Sequence, residues 1–134
     1  MLKIDLPNGL SVSCLNARDT RAVYDDIFTA QCYNRWICLH DGDTVFDVGA
    51  NVGLFSLWLG NRRVKVCAQD NGVNGFGLHG KVRLRIHCFE PCRKTFECLS
   101  DNLRFAGIDA TLHRYGLGSE NGEVTFTHFP RFTQ

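Results

Sequence analysis

Two short sequence elements combine acidic residues and glycines at positions where a ligand could be held. The first is Asp47-x-Gly49-x-Asn51-x-Gly53, which overlaps the end of the apolar, β-branched segment 44–48. Glycine lets the backbone turn sharply and approach a ligand, and we expect a Cβ at Gly49 to clash. We expect Gly53 to let helix and strand pack closely, and Asp47 to reach a ligand amine directly or through water.

The second element is Glu90, in the segment Cys88-Phe89-Glu90-Pro91 at the end of another predicted strand. An acid in this position can accept hydrogen bonds from both hydroxyls of a ribose. Neighbouring parallel strands end at the same edge of a sheet, so the two elements would frame one crevice. The residues alone therefore predict a cofactor that contains a nucleoside, without indicating which one.

Hydrophobic patterning predicts the elements that would position these residues. Alternating residues on both sides of Pro7-Asn8-Gly9 predict an N-terminal β-hairpin, and Asp19 or Thr20 can cap the helix that follows. A strand over 44–48, a glycine loop and a buried helix over 54–59 match the opening of a Rossmann-like βαβ unit.

The second half of the chain is predicted to contain three strands and one helix. Residues 61–81 are rich in glycine and are interpreted as a loop, unless 64–68 takes the strand position before Glu90. We expect a strand over 82–88, followed by a helix from Pro91. In that helix, Cys92 would lie on the apolar stripe and Gly107 would be the C-terminal cap. A strand over 110–115 would then pair in a hairpin with a strand over 124–127.

The composition is that of a globular protein, with 134 residues of which 44% are hydrophobic and 22% charged. A net charge of +1 gives no electrostatic reason to expect a nucleic acid or membrane partner. The N-terminal sequence lacks the apolar core of a secretion signal. Seven cysteines cannot all pair within the chain, and their spacing favours core thiols over a metal site. We therefore expect reduced thiols and a cytoplasmic location.

Three motifs taken together resemble those of FkbM-type methyltransferases. They are the stretch from Val45 to Leu57, the segment Cys88-Phe89-Glu90-Pro91, and Phe96-x-x-Leu99-x-x-Asn102-Leu103. These enzymes use S-adenosylmethionine, have the class I fold and are typically O-methyltransferases. The resemblance implies an α/β, Rossmann-like fold and methylation of a hydroxyl group on a small molecule or glycan.

The resemblance also implies roles for the candidate residues, although it assigns no catalytic base and no metal ligand. The methionine part of S-adenosylmethionine would be held by Asp47, Gly49, Asn51 and Gly53, its ribose by Glu90, and its adenine would lie beside residues 115–117.

The resemblance predicts an incomplete class I domain. Residues 1–40 would form an N-terminal extension of hairpin and helix, and 41–134 a partial S-adenosylmethionine-binding domain with 61–81 as an insertion. The family continues with a core strand bearing a Lys-Ile-Asp-Val-Glu-Gly-like motif, so we expect C-terminal truncation. The alternative is a non-catalytic fragment that binds the cofactor weakly or not at all. An incomplete sheet exposes a strand edge, and we expect self-association through it.

Overall fold

The computed structural model describes residues 1–33, 37, 39–60, 64–65, 79–80 and 83–125. The elements follow one another as β1 (Leu2–Asp5), β2 (Ser11–Cys14), α1 (Ala17–Tyr24) with a π-helical turn (Asp25–Thr29), β3 (Thr44–Val48), α2 (Leu54–Gly60), β4 (Val64–Lys65), β5 (His79–Gly80), β6 (Arg85–Phe89), α3 (Arg93–Phe105) and β7 (Ala110–His113).

A parallel sheet with the strand order β3-β6-β7 carries the candidate residues. Asp47 lies opposite Cys88 in its register, so Glu90 follows the strand that directly neighbours β3. Val64–Lys65 pairs with β5 in a separate antiparallel ladder, while 66–68 lie outside the described residues. Glu90 therefore keeps its predicted place in the fold, which is a mixed α/β arrangement compatible with a Rossmann-like fold.

Helices α2 and α3 pack in one core with a single face of this sheet. Alternate strand residues point to opposite faces, so Val45 and Cys88 join the core together with Leu57 and Leu99. On the other face, Phe46 is 60% exposed. The two helices thus lie on the same side of the sheet, and the candidate residues lie at its carboxyl end.

The N-terminal hairpin forms as predicted, with β1 antiparallel to β2 and Gly9 at a φ of +83° in the turn. The buried Asn102 side chain of α3 joins it to the rest of the fold. Its Oδ1 accepts the Ser13 N–H at 2.6 Å, and its Nδ2 donates to Ser13 O at 2.9 Å and Val52 O at 2.8 Å. One side chain therefore connects the hairpin, α3 and the loop after β3.

Helix α1 begins earlier than the sequence predicts. Asn16, and not Asp19 or Thr20, is the N-cap, and its side chain accepts the N–H groups of Arg18 at 2.9 Å and Asp19 at 3.3 Å. All three residue types can cap helices, so the sequence left the choice between them open.

Helix α3 begins later than predicted, at Arg93 and not Pro91. Cys92 is the N-cap and is exposed, so its predicted place on the apolar stripe is wrong. The C-terminal end is confirmed: Gly107 has a φ of +66°, and the Ile108 N–H donates to Leu103 O at 3.0 Å, as in a Schellman motif.

The predicted hairpin partner at 124–127 is wrong in its first half, because 124–125 belong to no strand and 126–127 lie outside the described residues. Strand β7 instead pairs in parallel with β6.

No helix in the described part of the chain is long and apolar enough to cross a membrane. Free thiols, as expected, are found at Cys14, Cys32, Cys88, Cys92 and Cys98.

We predict that Gly53→Ala destabilises the fold more than Gly9→Ala. Both glycines have a left-handed φ, at +88° and +83°, which costs an L-residue about 1–2 kcal/mol. Only at Gly53 would the new Cβ clash, 2.7 Å from Leu99 Cδ1, so about 1–3 kcal/mol of overpacking adds to the loss. Urea denaturation measures the loss in free energy of unfolding for each variant. Equal losses in the two variants would contradict the packing role of Gly53.

Candidate cofactor-binding site

The loop between β3 and α2 is built from three residues with left-handed backbone. Gly49, Asn51 and Gly53 have φ angles of +77°, +50° and +88°, and asparagine tolerates this conformation better than most non-glycine residues. No described protein atom lies within 4 Å of a Cβ at Gly49, so the clash expected there would be with a bound ligand and stays a prediction. The close contact is at Gly53, and it is with Leu99 of α3 and not with a strand. The space beside Gly49 is therefore open to a ligand.

Hydrogen bonds to the end of β6 hold this glycine loop in place. The Gly49 and Ala50 N–H groups both donate to Phe89 O, at 2.9 and 3.0 Å. The Asn51 N–H donates to Glu90 Oε2 at 3.0 Å. The two elements that the sequence singled out therefore meet directly.

Glu90 is 7% exposed and connects two loops through its carboxylate. Its second oxygen, Oε1, accepts the Cys92 N–H at 2.8 Å, just before α3. A carboxylate has about four lone-pair positions, so two remain for ligand hydroxyls. This arrangement is compatible with ribose binding, which stays a prediction.

Asp47 lies at the carboxyl end of β3, 7% exposed, and its Oδ2 accepts a hydrogen bond from Ser56 Oγ at 2.6 Å. Burial raises the pKa of this carboxyl group, hydrogen bonds from the Ser56 side chain and from the Ser56 backbone oppose that rise, and the charge of Glu90 adds to it. An ionised Asp47 is therefore unfavourable in the free protein and would gain from a cationic partner.

Ser56 is a residue that the sequence reasoning missed. It is fully buried, and its hydroxyl also contacts Cys88 Sγ at 3.1 Å. The available signal was its place as the polar residue in the apolar stretch 54–59. Cys88 is a core thiol as predicted, and burial raises its pKa to about 11.

The segment 115–117 follows β7 and runs beside the neighbours of Glu90. The Tyr115 ring meets Phe89 edge-on with 5.7 Å between centroids, and a Cβ on Gly116 would be 3.7 Å from Pro91 Cγ. Tyr115 is 53% exposed, so its ring is accessible. Its predicted place beside an adenine suits this position but stays a prediction.

A cavity of about 1130 Å³ adjoins the glycine loop. Asp47 and the loop residues 49–52 line it on one side, and Val23, Ile27 and Phe55 line it on another. The cavity therefore combines polar groups at the loop with apolar side chains, and Glu90 is not among its described lining residues.

We predict that Glu90→Gln destabilises the fold although the two side chains have the same shape. A glutamine has one acceptor oxygen, so its amide nitrogen would face the N–H of Asn51 or Cys92 and leave that donor unpaired. An unsatisfied buried donor costs about 1–3 kcal/mol. Denaturation against Glu97→Gln, where the glutamate is half exposed on α3, tests this. Equal stabilities of the two variants would contradict the role of Glu90 in holding the loop.

We predict that Asp47→Asn stabilises the folded chain at pH 7. The raised pKa means that the folded state takes up a proton before the unfolded state does as the pH falls. The stability of the wild type should therefore fall as the pH rises from the ordinary aspartate pKa of about 3.9 through the raised pKa of folded Asp47. The stability advantage of the variant should shrink as the pH is lowered towards about 3.9. Denaturation at several pH values measures the difference in free energy of unfolding between Asp47→Asn and wild type. The control is Asp109→Asn, at an exposed position. A variant that is less stable at pH 7 would overturn this reading.

Relatives of this chain include large and small proteins from bacteria and fungi. It is 33% identical over 133 residues to the AMB antimetabolite synthetase AmbE of Pseudomonas aeruginosa, covering 98% of this chain and 5% of that protein. It is 32% identical over 129 residues to the 31-O-demethyl-FK506 methyltransferase FkbM of Streptomyces tacrolimicus, covering 96% of this chain and 43% of that one.

A third relative is the methyltransferase sdnD of Sordaria araneosa, 28% identical over 125 residues, which are 90% of this chain and 40% of that protein. No family model matches the chain. The chain spans less than half the length of each of these relatives. The predicted resemblance is confirmed: over 96% of its length, this chain is similar to a methyltransferase named FkbM.

Proposed function

We propose that the chain forms the cofactor-binding part of an S-adenosylmethionine-dependent methyltransferase with a Rossmann-like class I fold. The observation that carries this proposal is the hydrogen bond from the Asn51 N–H to Glu90 Oε2. It joins the glycine loop to the acidic strand end, at the carboxyl ends of adjacent parallel strands. Ligands of open α/β sheets bind in this position.

The relatives support methyl transfer as the reaction. Two of them are named as methyltransferases, and one name specifies an O-demethyl substrate. We extend this to O-methylation of a hydroxyl group on a small molecule or glycan. In this proposal residues 1–40 are an extension, and the cofactor domain begins at 41.

The residues present fit such a cofactor. Asp47 would accept hydrogen bonds from the ammonium group of the methionine part, since its Oδ1 accepts none from the described residues. Gly49 leaves open space beside the loop, and Glu90 retains lone pairs for ribose hydroxyls. Asn51 presents an exposed side chain at the same loop. Gly53 contributes through packing, so its role is to shape the loop.

S-adenosylmethionine supplies a methyl group already activated on a sulfonium sulfur, so the protein has mainly to position the acceptor oxygen. The cavity beside Asp47 exceeds the range of about 300–1,000 Å³ that is typical of small-molecule pockets. It extends from the loop to the apolar wall of Val23, Ile27 and Phe55. An acceptor with an apolar surface would fit there beside the cofactor.

We predict saturable binding of S-adenosylhomocysteine, the product form of the cofactor, by isothermal titration calorimetry. Gly49→Arg should abolish binding, because it fills the open space and strains a left-handed residue. Asp47→Asn should weaken binding about tenfold or more, the value of one charge-assisted hydrogen bond. Asp109→Asn, an exposed site that precedes β7 at the opposite end of the sheet, should bind like wild type.

A folded wild-type sample without binding would contradict the cofactor proposal and favour the non-catalytic fragment. Methyl transfer by this chain would exclude that fragment. Equal losses in Asp47→Asn and Asp109→Asn would show that the effect of charge is not specific to the crevice.

A further inference from the structure

A row of buried, hydrogen-bonded side chains leads from the core to the candidate site. Ser56 and Cys88 are fully buried, and Ser56 Oγ lies 2.6 Å from Asp47 Oδ2 and 3.1 Å from Cys88 Sγ. They come from different elements, α2 and β6, and meet at the end of β3. Among the described residues, no fully buried side-chain nitrogen or oxygen lacks a hydrogen-bond partner, and the Ser56 hydroxyl has two.

When Asp47 is ionised, the number of available hydrogens determines which atoms donate in these two contacts. A serine hydroxyl has one hydrogen, and an ionised carboxylate can only accept, so the Ser56 hydrogen goes to Asp47. The contact between Ser56 and Cys88 must then use the thiol hydrogen. Burial raises the pKa of Cys88 to about 11, so the thiol keeps that hydrogen at neutral pH.

The geometry holds one oxygen of Asp47 and leaves the other for a ligand. Its Oδ2 is fixed by Ser56, its Oδ1 accepts no hydrogen bond from the described residues, and Asp47 lines the cavity. We propose that Ser56 is a positioning residue, itself oriented by Cys88, which holds Asp47 ionised and directed at the ammonium group of an amino-acid-bearing ligand. This rests on the proposed function, because that ligand would be the methionine part of the cofactor.

The electrostatics of Asp47 support this role. Burial and the charge of Glu90 raise its pKa, the Ser56 hydroxyl lowers it, and the Ser56 backbone lowers it further, a contribution that Ser56→Ala would keep. Among the described residues, two titratable groups lie beside it. They are Cys88 of β6, which is neutral at pH 7, and Glu90 beyond the end of β6. Ser56 therefore counteracts the two effects that would otherwise neutralise the carboxylate.

The test is the affinity for S-adenosylhomocysteine as a function of pH. Ser56→Ala should bind about tenfold more weakly at pH 7, and its loss of affinity on acidification should begin at a higher pH than in wild type. A purely structural role would lower the affinity by the same factor at every pH. Thermal denaturation would establish that each variant is folded at the temperature used.

Two cysteine variants complete the design. Cys88→Ser keeps a hydrogen-bond donor and should retain the wild-type pH profile, whereas Cys88→Ala should move it in the same direction as Ser56→Ala. Cys98→Ala removes an equally buried thiol from α3 and should leave the profile unchanged.

A second measurement works without ligand. ¹³C NMR titration of the Asp47 carboxyl group should show a higher midpoint in Ser56→Ala than in wild type. An unchanged midpoint, or a pH-independent loss of affinity, would overturn the positioning role. If wild type binds no S-adenosylhomocysteine but the midpoint still moves, the proposed function fails while the action of Ser56 on Asp47 stands.

Discussion

The Glu90 carboxylate is the constraint on which the candidate site depends. It accepts the Asn51 N–H, 39 residues away in sequence, and the Cys92 N–H at the start of α3. Asn51 has a left-handed backbone, which is unfavourable for an L-residue and persists only because its surroundings hold it. Phe89 O and the Asn102 side chain fix the loop on either side. The loop is therefore ordered before a ligand arrives, which lowers the entropic cost of binding.

The two acids of the crevice affect stability in opposite directions. Glu90 satisfies backbone donors and stabilises the loop, whereas Asp47 is buried with one hydroxyl donor and has a raised pKa. A side chain that is unfavourable in the free protein and placed beside a cavity is typical of a binding site. The fold thus supplies a rigid loop and, next to it, a charge that lacks a cationic partner among the described residues.

Local patterns predicted the strand, glycine loop and helix around Gly49, because β-branched residues and glycines determine backbone conformation within a few residues. The proximity of Glu90 followed from the rule that parallel strands end together. The start of α3 was missed because the Cys92 N–H is held by the side chain of Glu90. Ser56, and the structural role of Asn102, were missed because their partners lie on other elements, up to 89 residues away in sequence. A sequence pattern shows that such residues are polar, but not which groups they meet.

The central claim is that the glycine loop and Glu90 form one binding crevice for S-adenosylmethionine. The most direct measurement is a ¹H–¹⁵N NMR titration of the chain with S-adenosylhomocysteine. We expect the largest changes at the amides of Gly49, Asn51 and Cys92, which surround the two acids, and none at Asp109. A folded chain whose loop amides do not change, or whose changes lie at the Asp109 end of the sheet, would contradict the claim.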